Sequence, residues 1–370
     1  GMRSFAGNFS DEELPRAVRF AHEHGVKVHA TVNTMPRWDE AEQLPAHLEK
    51  LDAAGVDALI LADLGAFTLA GKYAPRCQRH ISTQQSVANH VCAQVWYDLG
   101  ASRVVLAREV SLTEIAAIRQ RVSPQLELEA FCHGAMCVSY SGRCLLSNYM
   151  TGRDSNRGEC AQPCRYQYAL MEEKRPGEYF PVFEDNKGTY IMNSRDMCMI
   201  DHVAELMDAG LNSLKIEGRA KSAYYAAIVT GAYRHAIDAA AQGIPLDPVW
   251  RDEVEKVSHR HYSTGFYYGY PGQFYEDSRY IRDWQVAAIV QDCTADGLAT
   301  LSLRNKFKAG DQVELVGPGC KPMAFAAPMM TDEEGNSLEE PKKPQMLFQM
   351  QLPHAVPPLS ILRREVGLTP

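Results

Sequence analysis

The chain has 370 residues, 45% of them hydrophobic, which is enough for one large domain and a smaller one around buried cores. Its formal net charge of -8, from 38 Lys and Arg against 46 Asp and Glu, argues against wholesale nucleic-acid binding and leaves room only for local basic patches. No stretch approaches the roughly 18 apolar residues of a membrane helix, and the N-terminus lacks a charged-then-apolar signal pattern, so a cytoplasmic protein with no membrane partner is expected.

The chain opens on a helix. Leu14, Ala17, Val18 and Ala21 recur at helical spacing between Asp11 and His24, and Ser10 with Glu13 three residues on reads as a capping box. Short apolar strands then alternate with amphipathic helices. The strands begin at Val28 (VHATVN), Ala58 (ALILAD), His80 (HISTQ), Arg103 (RVVLARE) and Leu126 (LELEAFCHG), with helices near Glu40 to Ala54, Ser86 to Leu99 and Leu112 to Val122. YIMNSRD from Tyr190, a helix near His202 to Ala209, SLKIEGR from Ser213 and a long helix from Ser222 to Gln242 continue the pattern. Repeated strand then helix implies a parallel sheet with right-handed crossovers, and six or seven such units point to an α/β protein with a (β/α)8 TIM-like barrel. Because the first readable element is a helix, the barrel is expected to be missing its first one or two strands at the N-terminus.

Six of the ten cysteines fall between Glu129 and Cys198. Cys132 sits in an apolar run and reads as core. Cys137, Cys144, Cys160, Cys164 and Cys198 are interleaved with Gly134, Gly142, Gly152 and Gly158 and with arginines and asparagines, which is loop chemistry rather than packing. With no export signal, such a thiol cluster points to metal or catalysis before disulfides. Only Cys160 and Cys164 form the close pair favoured by structural zinc sites, whereas widely separated thiolates on loops suit a four-iron cluster, so spacing alone leaves zinc and iron open.

From Asp247 to Arg282 the sequence turns aromatic and Gly-rich and reads as a linker. Beyond Trp284 short alternating strands follow: QVAAIVQD, LATLSLRN, DQVELV, PMAFAA, MLFQMQ and SILRRE, giving a small antiparallel β-barrel. The expected layout is therefore a barrel over 1–246 with a cysteine loop insertion at 134–198, a linker over 247–283, and a C-terminal β-barrel over 284–370.

The order Glu129, Phe131, Gly134, Ala135, Met136, Cys137, Gly142, Cys144, Leu146, Ser147 resembles the signature of the peptidase U32 family. The continuation through RGECAQPCRY, NSRDMC and LKIEGR resembles the branch containing the prephenate-dependent tRNA wobble-uridine hydroxylases, and the resemblance covers essentially the whole chain. It implies a 4Fe-4S cluster held by Cys137, Cys144, Cys160 and Cys198, with Cys164 as the alternate ligand. It further implies oxygen-independent hydroxylation of tRNA uridine 34 with prephenate as oxygen donor, tRNA as partner, and allows for a paralogous partner subunit. The C-terminal barrel resembles the one that follows the GTPase domain in translation factors.

In barrels of this type active groups sit at the C-terminal ends of strands, so Asn33, Asp63, Gln84, Arg108, Glu109, His133, Lys215, Glu217 and Arg219 are the residues to weigh. Lys215, Glu217 and Arg219 alternate along one expected strand and so share a face. Two cations and a carboxylate there suit a substrate bearing two carboxylates, and a salt-bridge ladder inside the barrel is the plainer alternative. Glu129 and His133 share a face by the same periodicity and read as a catalytic pair. Arg143 and Arg195, beside ligand candidates, read as groups that stabilise cluster charge or bind RNA phosphate. Peptidase chemistry has little support, since no HExxH or G-x-S-x-G occurs and five clustered thiols argue for shared ligation over one nucleophile. A U32 peptidase and a zinc-stapled RNA-binding protein stand as the alternatives.

Overall fold

The computed structural model describes residues 8–137, 139–166, 169–170, 174, 176–177, 180–181, 195–271 and 280–367. In chain order it sets out α1 (Glu13–Glu23), β1 (His29–Val32), α2 (Trp38–Ala41), α3 (Leu44–Ala53), β2 (Ala58–Leu61), α4 (Leu64–Tyr73) and β3 (Gln78–Ile81). There follow α5 (His90–Asp98), β4 (Arg103–Val105), α6 (Leu112–Arg119), β5 (Glu127–Ala135) and α7 (Leu146–Thr151). A hairpin of β6 (Ala169–Leu170) and β7 (Phe180–Pro181), then β8 (Asp196–Cys198), α8 (Val203–Asp208) and β9 (Ser213–Ile216), complete the stretch up to the long helix. The chain divides into two units, Gly1–Ala220 with His261–Arg279, and Lys221–Arg260 with Tyr280–Pro370.

In the first unit β1 to β5 pair in sequence order, all parallel, and β9 adds beside β5 in the same direction. This parallel sheet with its helices is the TIM-like α/β architecture expected from the strand and helix alternation. Leu59, Leu61, Ile81, Val104, Val105, Leu128 and Ala130 are buried along it, as both-face burial of parallel strands requires. The segment at Asp196–Cys198 does not continue the parallel run. β8 pairs antiparallel with the far end of the nine-residue β5, at His133, Gly134 and Ala135, and a short β10 (Tyr262–Ser263) pairs with β8. Residues 190–194, expected to begin that strand, lie outside the described residues.

Local chemistry explains most helix ends. Ser10 and Glu13 exchange side chain and backbone bonds as a capping box, with Ser10 N–H to Glu13 at 2.8 Å and Glu13 N–H to the Ser10 hydroxyl at 3.2 Å. The single helix expected over Glu40 to Ala54 is two, because Pro45 occupies the first turn of α3, where a missing N–H is tolerated, and cannot continue α2. The helix expected from Ser86 begins only at His90. Ser86 takes a left-handed conformation (φ 52°) that closes a single 3₁₀ turn, Thr83–Gln85, and Asn89 caps α5. That turn fixes Gln84.

The second unit starts with α9 (Ala223–Gln242), capped by Ser222 and ended by Gly243, and α10 (Pro248–Glu255) lies within the stretch read as linker. Among the described residues its sheet has eight antiparallel strands: β11 (Trp284–Cys293), β12 (Leu298–Leu303), β13 (Gln312–Val316), β14 (Met323–Ala326), β15 (Met330–Thr331), β16 (Ser337–Leu338), β17 (Leu347–Gln351) and β18 (Ile361–Glu365). They run in the order β14-β13-β18-β11-β12-β17-β15-β16. All six strands expected from sequence are present, and their alternate residues Ala288, Val290, Leu301, Val313, Phe348 and Leu362 form the core.

Candidate functional site

A cavity of about 340 Å³ opens at the C-terminal ends of the parallel strands. From the strand ends it is lined by Thr31, Asn33, Ser82, Thr83, Gln84, Arg108, Phe131, Lys215, Glu217 and Arg219, and from the loop after β5 by Cys137, Cys144, Cys160 and Cys164. The loop is held by its own hydrogen bonds. The Ser155 hydroxyl donates to Cys144 O at 2.7 Å, and Ala161 N–H to the Ser147 hydroxyl at 3.0 Å. Arg157 grips Glu40 with its two terminal guanidinium nitrogens at 2.5 and 2.7 Å, tying the loop to the segment after β1.

Two motif glycines have a steric reason. At Gly134 (φ 110°) an added Cβ would lie 2.3 Å from Glu217 O, so only glycine lets the chain after β9 cross the end of β5. At Gly142 (φ 79°) a Cβ would meet Gln84 O at 3.2 Å and its Cβ at 3.3 Å, so the thiol loop packs directly on the 3₁₀ turn.

The sulfurs themselves accept backbone N–H groups, Cys144 from Leu146 and Cys160 from Gln162, each at 3.4 Å. Cysteine thiolates are the donors an iron–sulfur cluster takes, and hydrogen bonds to sulfur tune its potential, so the donor types present are compatible with such a group. Among the described residues no three His, Cys, Asp or Glu side chains close to metal-holding distance. Cys198, expected as a ligand, sits on β8 opposite His133 and is not among the residues lining the cavity, whereas the alternate Cys164 is. Cys132 is fully buried, as its apolar run implies, and Cys77 is also buried, which pushes its thiol up to about 11.

Lys215 is both a pocket residue and a member of a buried ladder. Glu129 Oε1 accepts from Lys215 Nζ at 3.0 Å, and its Oε2 from Arg103 at 2.9 Å and from the Ser213 hydroxyl at 2.8 Å. Burial alone would raise this carboxyl, but Lys215, Ser213 and Arg103 outweigh it and hold it down at about 2. His80, buried in the same layer and facing Arg103, is driven down to about 3 and stays neutral.

The expected pairing of Glu129 with His133 is not formed. β5 carries a bulge between Phe131 and His133, which shifts the alternation by one residue. Phe131 lines the cavity, while His133 Nε2 faces the Tyr262 hydroxyl at 3.4 Å and Glu129 belongs to the ladder. The shared face proposed for Lys215, Glu217 and Arg219 also needs correction, because β9 ends at Ile216. The three nevertheless line one cavity, with Arg219 donating to Asn8 Oδ1. Arg108 stacks over Phe131 at 3.8 Å and donates to Ala135 O at 3.1 Å. Asp63 is a helix cap, accepting from Ala66 N–H at 2.8 Å, and burial raises Glu109 above the usual carboxylate range. Arg143 is exposed on the loop and Arg195 precedes β8, and neither is among the lining residues. Arg103 and Tyr262 were missed from sequence. Arg103 had no local signal, and Tyr262 lay in the aromatic stretch read as linker.

Residues 1–277 match the model of peptidase family U32, and residues 282–363 match that of the U32 C-terminal domain. The chain is 35% identical over 371 residues to the tRNA hydroxylation protein P1 of Bacillus subtilis, covering 98% of this chain and 87% of that protein. It is 37% identical over 361 residues to the tRNA hydroxylation protein P of Escherichia coli, covering 86% and 79%. Over 239 residues it is 37% identical to the E. coli 23S rRNA 5-hydroxycytidine C2501 synthase, covering 65% of this chain and 35% of that protein.

Proposed function

The chain belongs to peptidase family U32, and from that premise we propose that it is an RNA-modifying enzyme: an iron–sulfur protein that hydroxylates uridine 34 of tRNA without molecular oxygen, using prephenate as oxygen donor. The observation that carries this reading is that four thiols and three cations, Arg108, Lys215 and Arg219, face one cavity. Relatives named for tRNA hydroxylation and for rRNA hydroxycytidine synthesis support the reaction class.

In the reaction the base carbon exchanges its hydrogen for the donor's hydroxyl, so the base is oxidised by two electrons while the donor carbon is reduced by two. Cys137, Cys144 and Cys160 would supply three cluster ligands. The fourth is Cys164, as the cavity wall argues, or Cys198, as the family resemblance implies. A cluster held by these thiols would supply electron transfer. The protein's own part is positional. Arg108, Lys215 and Arg219 present donors to a dicarboxylate, with the guanidinium groups able to grip in bidentate fashion. Glu129 fixes the Lys215 ammonium and, held ionised near 2, is a positioning residue rather than a proton donor.

The test is anaerobic purification with iron and sulfide quantification, and mass spectrometry of tRNA from complemented cells. Cys144→Ser is expected to abolish both cluster and hydroxyuridine, and whichever of Cys164→Ser and Cys198→Ser does the same is the fourth ligand. Intact protein with no iron and no hydroxyuridine refutes the reading, and peptide cleavage that survives the thiol substitutions would point to a peptidase instead.

A further inference from the structure

Two residues lining the cavity each carry a polar atom that is shut off from solvent and has no hydrogen-bond partner among the described residues: Asn33 Oδ1 and Gln84 Nε2. Gln84 is only 4% exposed. Its Oε1 accepts from the Ser82 hydroxyl at 3.4 Å, and its stem is pinned beneath Gly142, so Nε2 is the end of the amide left unpaired. Leaving a buried amide atom without a partner is costly, so two of them in residues lining one cavity call for an explanation.

The pair offers one donor and one acceptor. A carboxylate brings acceptors only, so a dicarboxylate could satisfy Gln84 but would set oxygen against oxygen at Asn33. The cations of the same cavity are the natural seat for such a substrate. What Asn33 Oδ1 needs is an N–H. A uracil ring carries its N3–H donor next to carbonyl acceptors, so its edge offers one group of each kind.

We propose that Asn33 and Gln84 are specificity-determining residues that read the N3–H and an adjacent carbonyl of a uracil ring turned into the cavity. The proposal rests on the RNA-hydroxylase reading above. Bases in a single-stranded loop can be splayed out at small cost, which makes a loop uridine an accessible occupant. Cytosine could present its amino group and N3 to the same atoms, so the decisive probe is uridine methylated at N3, which lacks the donor.

The experiment measures binding of the full chain to two labelled anticodon stem-loop RNAs, one with uridine and one with N3-methyluridine at the loop position, by fluorescence anisotropy. The unaltered protein is expected to bind the uridine RNA at least tenfold more tightly. Asn33→Leu and Gln84→Leu, each checked by thermal melting, are expected to bind both RNAs equally, and Asn33→Asp, which keeps an acceptor, to retain the preference. Equal binding of the two RNAs by the unaltered protein overturns the proposal, as does a preference that survives Asn33→Leu and Gln84→Leu. The readout involves no turnover. A preference that depends on both residues in a protein making no hydroxyuridine would refute the reaction and leave the reader in place, and hydroxyuridine formation with no preference would do the reverse.

Discussion

Arg103, Glu129 and Lys215 in the parallel sheet, and Arg363, Glu253 and Glu314 in the C-terminal unit, are assembled from the same chemistry, carboxylates and cations taken out of water with a hydroxyl beside them. Arg363 is 0% exposed and bonds Glu253 at 2.5 Å, Glu314 at 2.7 Å and the Tyr224 hydroxyl at 3.1 Å. Lys256 closes that set, reaching Glu314 at 3.0 Å and Glu253 at 3.3 Å. The sheet ladder ends differently: Lys215 is 26% exposed and lines the cavity. Buried charge alone therefore does not mark a site. A network with one member open to a cavity that also holds orphaned polar atoms does.

The largest effect expected from breaking this comparison is in the closed network. Arg363→Met leaves buried Glu253 with Lys256 as its remaining ion-pair partner among the described residues and should cost roughly 3–5 kcal/mol, since removing one partner of a buried pair strands the other. Urea unfolding followed by Trp284 fluorescence reports it, because the guanidinium sits 5.2 Å from that ring. An unchanged midpoint would mean that the network contributes nothing to this unit.

Next comes the pH dependence of the open ladder. The Glu129 carboxyl is depressed from 4.5 to about 2, so its contribution is fully present above its unfolded value and is lost as pH falls from about 4.5 toward 2. That shift corresponds to roughly 3 kcal/mol at most. His80 acts in the same direction over a higher range, since a neutral buried imidazole resists protonation as pH falls below its unfolded value near 6.5. Glu129→Gln should therefore be less stable than the unaltered protein at neutral pH, with the gap closing toward pH 2. A gap independent of pH would rule out the ionised carboxylate as its source.

Lys215→Met separates the two networks most directly. Arg103 and Ser213 still hold Glu129, so the stability loss should be smaller, about 2 kcal/mol. On the proposed reaction, hydroxyuridine formation should nevertheless fall sharply, with a raised half-saturation for the proposed dicarboxylate donor. Full activity in a destabilised variant would make this ladder as purely structural as the one around Arg363.

How far these features could be read from sequence follows from the distance over which each is decided. The strands, the Ser10 cap and the six C-terminal strands rest on local periodicity and were legible. α4 was not expected, because LGAFTLAGKY has no clear polar face to give a helical period. The bulge at Cys132 exists only through register with β9, so the Glu129 and His133 face was misread. Arg363 meets Glu253 across 110 residues and Arg103 meets Glu129 across 26, and neither leaves a local trace. The thiols were found by composition. Which of them face the cavity depends on the path of the loop, and that path rests on Gly142 against Gln84.

The smallest effect expected tests what the comparison assumes about burial. Glu40, like Glu129, is held down at about 2, chiefly by hydrogen bonds from Arg157 and from the backbone N–H of Arg37. In the depression of their pKa the two carboxylates look equivalent. Their surroundings are not: the Glu40 side chain is 40% exposed and that of Glu129 7%, and water competes for every bond Glu40 makes. Glu40→Gln should therefore leave the melting temperature within the scatter of replicate measurements at pH 7, while Glu129→Gln lowers it clearly. If the two substitutions proved equally costly, desolvation would not be what gives the ladder its strength, and the tie between the loop and the segment after β1 would have to count as part of the folded core.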